Sequence, residues 1–379
     1  MSTTADTPAP GPVSPLLELE AAVQAEGADA GVAAHYGSPL AEQRKLVAGQ
    51  AIVDLSHRGV LSVSGPDRLT WLNSMSSQEL RGLTPGQSTE TLLLDPAGRV
   101  EYAIALVDDG VEAWLLVEAA ELAGLHAWLD RMRFTLRVQV VDHTLAYATI
   151  GSMTADPAAV ALEPAAPNGV PLIWHDPWNA VTPGGYQYAS AAEHPGAAWA
   201  FSEVLIPRAA LPALRDAVSA GTVSAAGLLA LEALRIAAWR PRGATEVDDR
   251  TIPHELDWLR TAVHLTKGCY RGQETVAKVH NLGHPPRRLV MLHLDGVTPS
   301  AGAVVSSGDT EVGRVTSAAM HYELGPIALA VVKRSTALDD LTVLVDETPV
   351  AAAQELIVPP SAGAEANVPR LPRLGAVQR

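Results

Sequence analysis

The chain has 379 residues, 47% hydrophobic and 18% charged, which is enough apolar material for two or three domains with developed cores. Its net charge of −15 argues against nucleic acid or an anionic membrane surface as a direct partner. The single cysteine excludes internal disulfides and any metal or iron–sulfur site built from cysteines of this chain alone.

Residues 1–14 are rich in Pro, Thr and Ala, with neither the basic nor the apolar stretch of a signal peptide. No apolar run approaches the ~20 residues of a membrane span, so a cytoplasmic location is expected. Residues 1–40 read as a mobile extension containing a short helix at Leu16–Glu20. A helix at Ala41–Val47 and strands at Ala51–Leu55 and Val60–Val63 follow. Gly65-Pro66-Asp67 opens a helix through Leu72, with Pro66 in its first turn. Three antiparallel strands are predicted at Thr91–Leu94, Val100–Val107 and Val111–Val117, punctuated by Asp95-Pro96-Ala97-Gly98 and Asp108-Asp109-Gly110. Ala119–Met132 is an amphipathic helix, and Leu136–Val141 and Leu145–Ile150 return to strand.

An Ala/Pro-rich excursion covers 152–170, and strands are predicted at Pro171–Trp174 and Tyr186–Tyr188 around Gly184-Gly185. Helices are expected at Arg208–Val218 and Ser224–Trp239, the second apolar on most faces and therefore buried. From Arg288 the texture changes to five short strands with Gly/Pro/Asp turns, an all-β module of small-barrel character. The last ~20 residues read as a frayed tail.

Chemistry concentrates in Leu265–Thr275, which holds the only cysteine, Cys269, between Lys267 and Arg271 and between Gly268 and Gly272. Cations two residues away on either side favour a thiolate, although a lone free cysteine is also commonly a small buried hydrophobe. Gln273–His280 alternates weakly like a strand, but Gln273 and Glu274 suit a first helical turn and Asn281-Leu282-Gly283 a stop, so a helix is favoured. Its N-terminus would add to the stabilisation of a thiolate. Residues 235–288 carry ten Lys/Arg against six Asp/Glu, a basic island suited to a compact anionic ligand. The bland alternative is that these arginines pair with Glu246, Asp248, Asp249 and Asp257. Phosphate-loop spacings, a Gly-x-Ser-x-Gly elbow and a zincin signature are all missing, Trp258 standing where a second zincin histidine would be, and no intrinsic metal site is expected. A Cys269 nucleophile paired with His264, His280 or His284 stays open.

Lys267-Gly268-Cys269-Tyr270-x-Gly272-Gln273-Glu274 resembles the signature of the YgfZ family, folate-binding relatives of the glycine-cleavage T-protein that support iron–sulfur enzymes. Leu234-Arg235-Ile236, Ile252-Pro253-His254-Glu255 and Val276-Ala277-Lys278 resemble that family's flanking segments. Asp54–His57, Val63–Asp67, Leu72-Asn73 and Leu94–Val100 resemble the T-protein opening and second hairpin, so the resemblance runs from about 50 to 345. Four lysines among 27 basic residues, with Trp239–Arg242, resemble its actinobacterial branch.

The resemblance implies an α+β, three-domain T-protein-like ring with a central folate channel, ending in a small antiparallel β-barrel. The implied domains are 41–135 (folate-binding, interleaving with 235–285), 136–286 (carrying the signature) and 287–355 (the barrel), with a flexible tail at 356–379. It implies tetrahydrofolate or a folate derivative as cofactor, iron–sulfur client enzymes or assembly proteins as partners, and a link to tRNA modification. Cys269, Lys267 and Tyr270 would be the chemically active residues, with Cys269 a transient cluster ligand. Tyr186, Gln187, Arg235, Arg271, Gln273 and Glu274 would hold folate. Two departures stand out. The acidic pair of the aminomethyltransferases falls on Tyr102 and Ala103, which supply no carboxylate. The pterin-reading glutamate corresponds to Gln187, an amide without the strength of a charged acceptor. Aminomethyl transfer or methylamine demethylation is the alternative activity.

Overall fold

The computed structural model describes residues 11–366. A short ribbon, β1 (Val23–Gln24) and β2 (Ala33–His35), precedes helix α1 (Pro39–Val47) and strands β3 (Ile52–Asp54) and β4 (Gly59–Ser64). Helix α2 (Arg68–Met75) starts after Asp67, whose carboxylate pairs with Arg137 rather than capping the helix, so Pro66 lies in the preceding turn rather than in the helix as expected. Strands β5 (Ser88–Leu94), β6 (Val100–Asp108) and β7 (Glu112–Val117) follow, then α3 (Ala119–Met132) and β8 (Gln139–Asp142). They form an antiparallel sheet in the order β5-β6-β7-β4-β8. Its faces alternate as period two requires. Leu61, Val63, Leu115 and Val117 pack toward α2 and α3, while Val60, Trp114 and Leu116 face the centre of the molecule.

A second sheet, β10-β11-β9-β3-β12, draws on β9 (Tyr147–Ser152), β10 (Ile173–His175), β11 (Ser202–Pro207) and β12 (Ala225–Ala226), with α4 (Leu211–Ser219) between the last two. Because β3 belongs to this sheet and β4 to the first, the chain crosses between them within five residues. Helix α5 (Leu228–Ala237) is buried along most of its length, as its sequence requires, and the one-turn α6 (Gly243–Glu246) follows. Tyr186–Tyr188 is not a strand; the Tyr186 N–H donates to the Leu259 carbonyl (3.0 Å) and the Tyr188 N–H to the Asp257 carboxylate (2.6 Å), while Gly184 and Gly185 press against His264 and Arg260.

Helix α7 (Gln273–Leu282) leads to a closed antiparallel barrel in the order β13-β16-β15-β14-β17-β18. Its strands are β13 (Arg287–Leu294), β14 (Val304–Ser307), β15 (Thr310–His321), β16 (Gly325–Lys333), β17 (Leu341–Val345) and β18 (Thr348–Leu356). The sixth strand was not expected; it closes the ring by pairing with both β17 and β13. Leu289, Met291, Ile327 and Leu329 face out of the barrel into the same core as Trp178 and Leu231.

Both ends depart from the expected looseness. Leu16 and Val32 are fully buried within the stretch read as an extension, and Asp29 reaches Arg242 at 2.6 Å. After the barrel, Ile357 and Val358 are buried, and the N–H groups of Glu365 and Ala366 donate to the His280 and Asn281 carbonyls at 2.9 and 3.1 Å. The expected frayed residues before 11 and after 366 lie outside the described residues. No helix among the described residues is long and apolar enough to cross a membrane.

Candidate functional site

The signature loop is pressed against the β5–β6 turn. Gly272 caps α7 at φ +84°, where a side chain is strained, and a Cβ there would sit 2.7 Å from the Asp95 carbonyl oxygen. Gly98 across the contact has φ +80°, and its Cβ would meet Thr275 at 2.8 Å. Only two glycines allow this approach of hairpin to loop.

Lys267 is buried, and its Nζ donates to the carbonyls of Asn73 (2.8 Å), Ser76 (2.7 Å) and Gln78 (2.5 Å). These bonds use all three ammonium protons. Burial brings its pKa down to about 8. Arg271 reaches the other way, pairing with Glu101 on β6 at 2.6 Å. The expected role of both cations as partners of the thiol is therefore corrected: one staples the α2–β5 connection and the other binds β6. Cys269 itself is exposed, so it is not the buried hydrophobe of the bland reading. Iodoacetamide should label the native protein with one equivalent at Cys269, as read by intact mass; protection until denaturant is added would show the thiol covered.

The remaining signature residues fix the loop. Tyr270 is 7% exposed, under the Lys267 ammonium, and its hydroxyl has no hydrogen-bond partner. The Gln273 amide donates to the Lys267 carbonyl at 3.2 Å, and exposed Glu274 lies in the first turn of α7, where a negative charge suits the helix end.

Tyr186 lies under α7, with Gln187 next to it in the chain. Tyr186 meets His280 edge-on, with centroids 4.7 Å apart, and its hydroxyl bonds the Glu365 carboxylate, which holds the phenol up to about 12. The Gln187 side chain accepts from Arg260 and donates to the Ala189 carbonyl at 2.8 Å. Both ends of that amide are thus engaged by the protein, against the expectation that it reads a ligand edge.

A cavity opens where β6 and β7 face β10, β11 and the segment after α5. It encloses about 100 Å³, or about 700 Å³ with its mouth. Trp174, Trp199, Phe201 and Trp258 give it flat walls, and Ala103 lines it from β6. Among the residues expected at a ligand site, only Arg235 borders it, and its guanidinium is committed to Glu232 and to Glu246 (3.0 Å). The signature residues do not line it.

Apart from Arg235, the charged lining comes from residues not expected at a ligand site. Asp176 opens a short turn in which it caps Trp178. Arg240 joins Asp176 (2.9 Å) to Glu90 (2.5 Å), and its guanidinium lies 5.2 Å from the Trp178 ring centre. Asp176 also accepts from the Trp199 indole (2.8 Å), and Glu90 from Thr261 (2.8 Å). Arg58 pairs with Glu203 (2.5 Å), and Arg242 with Asp29 and Glu118 (2.7 Å). Desolvation pushes the Glu90 and Glu203 carboxyls up. At Glu118 desolvation acts the same way, but Arg242 and Arg58 outweigh it and bring the carboxyl to about 2. Arg240 Nη1 and Arg58 Nε are buried without partners. Flat apolar walls, buried acceptors and two unused N–H donors suit a planar heterocycle carrying both donors and acceptors.

The expected pairing of the basic island is partly realised: Arg235 meets Glu246, Arg287 meets Asp248 (2.6 Å) and Arg250 meets Asp249 (3.6 Å). Arg240 and Arg242 instead reach acids far away in sequence. At Tyr102 and Ala103 β6 brings no carboxylate to the cavity, and the carboxylates that line it come from other elements.

Residues 22–159 match the GCVT N-terminal domain, and residues 287–356 match the glycine cleavage T-protein C-terminal barrel domain. An aminomethyltransferase of Synechococcus elongatus is 30% identical over 74% of this chain and 76% of its own length. A chloroplastic Arabidopsis thaliana protein named only as a transferase is 26% identical over 83% of this chain and 73% of its own. The crystal structure of the glycine cleavage system aminomethyltransferase T from Bartonella henselae superposes with a TM-score of 0.71 at 20% identity, covering 89% of this chain and 94% of that one. The likeness in fold and the matched domains agree: this chain belongs to the glycine cleavage T-protein family of aminomethyltransferase-like proteins.

Proposed function

We propose that this chain is a YgfZ-type member of the family: it binds a reduced folate in the central cavity and supports the assembly or repair of iron–sulfur enzymes. The observation that carries this reading is the combination at one cavity of an aromatic, ion-lined wall with Ala103 where an aminomethyltransferase places an acid. Trp199 and Trp258 would flank the pterin, Glu203 would accept from its ring N–H groups, and the unused N–H groups of Arg240 and Arg58 would meet its acceptors. Bound folate would supply one-carbon chemistry there. Exposed Cys269, held on a loop stapled by Lys267, would offer a single thiolate to a cluster owned by a client; one ligand does not hold a cluster, which usually takes four.

Quenching of tryptophan fluorescence by tetrahydrofolate should be saturable, and Trp199→Ala should weaken it. A deletion strain should lose iron–sulfur enzyme activities, regain them with the wild type and not with Cys269→Ala. Unchanged activities on deletion would sink the accessory role. A second reading, folate-dependent aminomethyl transfer, is favoured by the carboxylates Glu90, Asp176 and Glu203 in the cavity. It predicts turnover of a methylamine with tetrahydrofolate, where the accessory reading predicts none.

A further inference from the structure

A second cavity of about 460 Å³ lies on the outer side of the first sheet, between β6 and α3, where Tyr102, Glu121, Trp128 and Arg131 line it. Glu121 stands between this space and the central cavity. A Cβ built on Gly243, in the central wall, would lie 3.5 Å from Glu121 Oε1 and 3.4 Å from the Ala103 methyl. Gly243 has no left-handed backbone to explain a glycine there. A side chain at 243 would therefore stand against both the Ala103 methyl and the Glu121 carboxylate, which lies just behind this part of the central wall. The other carboxylate oxygen, Oε2, is buried with no hydrogen-bond partner.

We propose that Glu121 is a further carboxyl group that meets the ligand in the central cavity, supplied by α3 beside Ala103 where β6 brings no acid to that cavity, and that it acts as a hydrogen-bond donor exchanging its proton through the outer cavity. This rests on the reading of the central cavity as a folate site. The charges around Glu121 fit the role. Desolvation is the largest influence and Glu118 at the same helix end adds to it, while Arg242 and Arg58 from the central cavity oppose it. The carboxyl is held up to about 8 and is neutral at pH 7. From β6, the Tyr102 hydroxyl and the Glu101 carboxylate share this field, with Arg131 nearly three turns along α3.

The test is calorimetric titration of the full chain with 5-formyltetrahydrofolate between pH 6.5 and 9.5, with thermal melts to verify folding of each variant. Wild-type affinity should fall above pH 8, by about tenfold per pH unit for a single proton. Glu121→Gln keeps an N–H donor and should bind with no such fall. Glu121→Ala should bind at least about tenfold more weakly at pH 7, one hydrogen bond's worth. Gly243→Val should weaken binding by placing methyl groups against the Glu121 carboxyl with Glu121 itself intact. Wild-type affinity in Glu121→Ala, or the same pH dependence in Glu121→Gln, would overturn the assignment and leave the folate reading standing. No binding by the wild type would overturn both.

Discussion

Arg240→Ala is expected to destabilise the protein by about 3–5 kcal/mol, because it leaves two buried carboxylates without their shared cation. Glu90 and Asp176 both meet that guanidinium, and Trp178 packs beneath it. Urea unfolding measures the loss. Its pH dependence identifies the cause. Burial already pushes the Glu90 carboxyl up and Arg240 opposes it, so without Arg240 its folded-state pKa rises further; the penalty is present above that value and fades as pH falls and Glu90 takes up a proton. The deficit against wild type should therefore shrink from pH 8 to pH 5. A deficit independent of pH would mean that lost packing against Trp178 dominates.

Lys267→Met should cost about 3 kcal/mol, since three buried carbonyls lose a charged donor and only the relief of desolvating the ammonium offsets it. Met keeps the length of the side chain, so the loss measures the hydrogen bonds rather than the packing. Amide hydrogen exchange should quicken at 73–78 and across the signature loop, because Lys267 is what joins them. Unchanged protection at 73–78 would show that Ser77, whose hydroxyl donates to the Ala262 carbonyl at 2.5 Å, suffices to hold that connection. In either case Cys269, already exposed in the native loop, should remain reactive.

What the sequence made legible follows the range of the forces involved. The Asp95–Gly98 turn, helix Ala119–Met132 and the capped start and stop of α7 are written in neighbouring residues, and they appear where local chemistry puts them. Strand β18 was missed because Thr348–Leu356 is largely alanine and polar residues. Its pairing comes from the two strands beside it rather than from its own propensity. The same holds for Ile357 and Val358, two apolar residues in a Pro/Ala-rich stretch that find their burial only against the finished core. The signature announced itself by composition, but the directions of Lys267 and Arg271 did not. Spacing two residues from a cysteine says nothing about a side chain that runs to Asn73 or to Glu101. The lining of the central cavity was the least legible, because Arg58, Glu90, Asp176, Glu203 and Arg240 come from five separate segments and only the fold makes them neighbours.

The return of residues 357–366 onto α7 gives the signature a dependence on chain order. The helix carrying Gln273 is complete by residue 282, yet the N–H groups of Glu365 and Ala366 bind carbonyls in its last turn, and the Glu365 carboxylate holds Tyr186 beneath it. During synthesis the barrel must therefore be made, and the chain carried about ten residues past it, before this end of the helix is clasped. A chain stopped at residue 356 would possess every signature residue and still lack that clasp. Presentation of the Cys269 loop is in this sense tied to completion of the barrel that follows it.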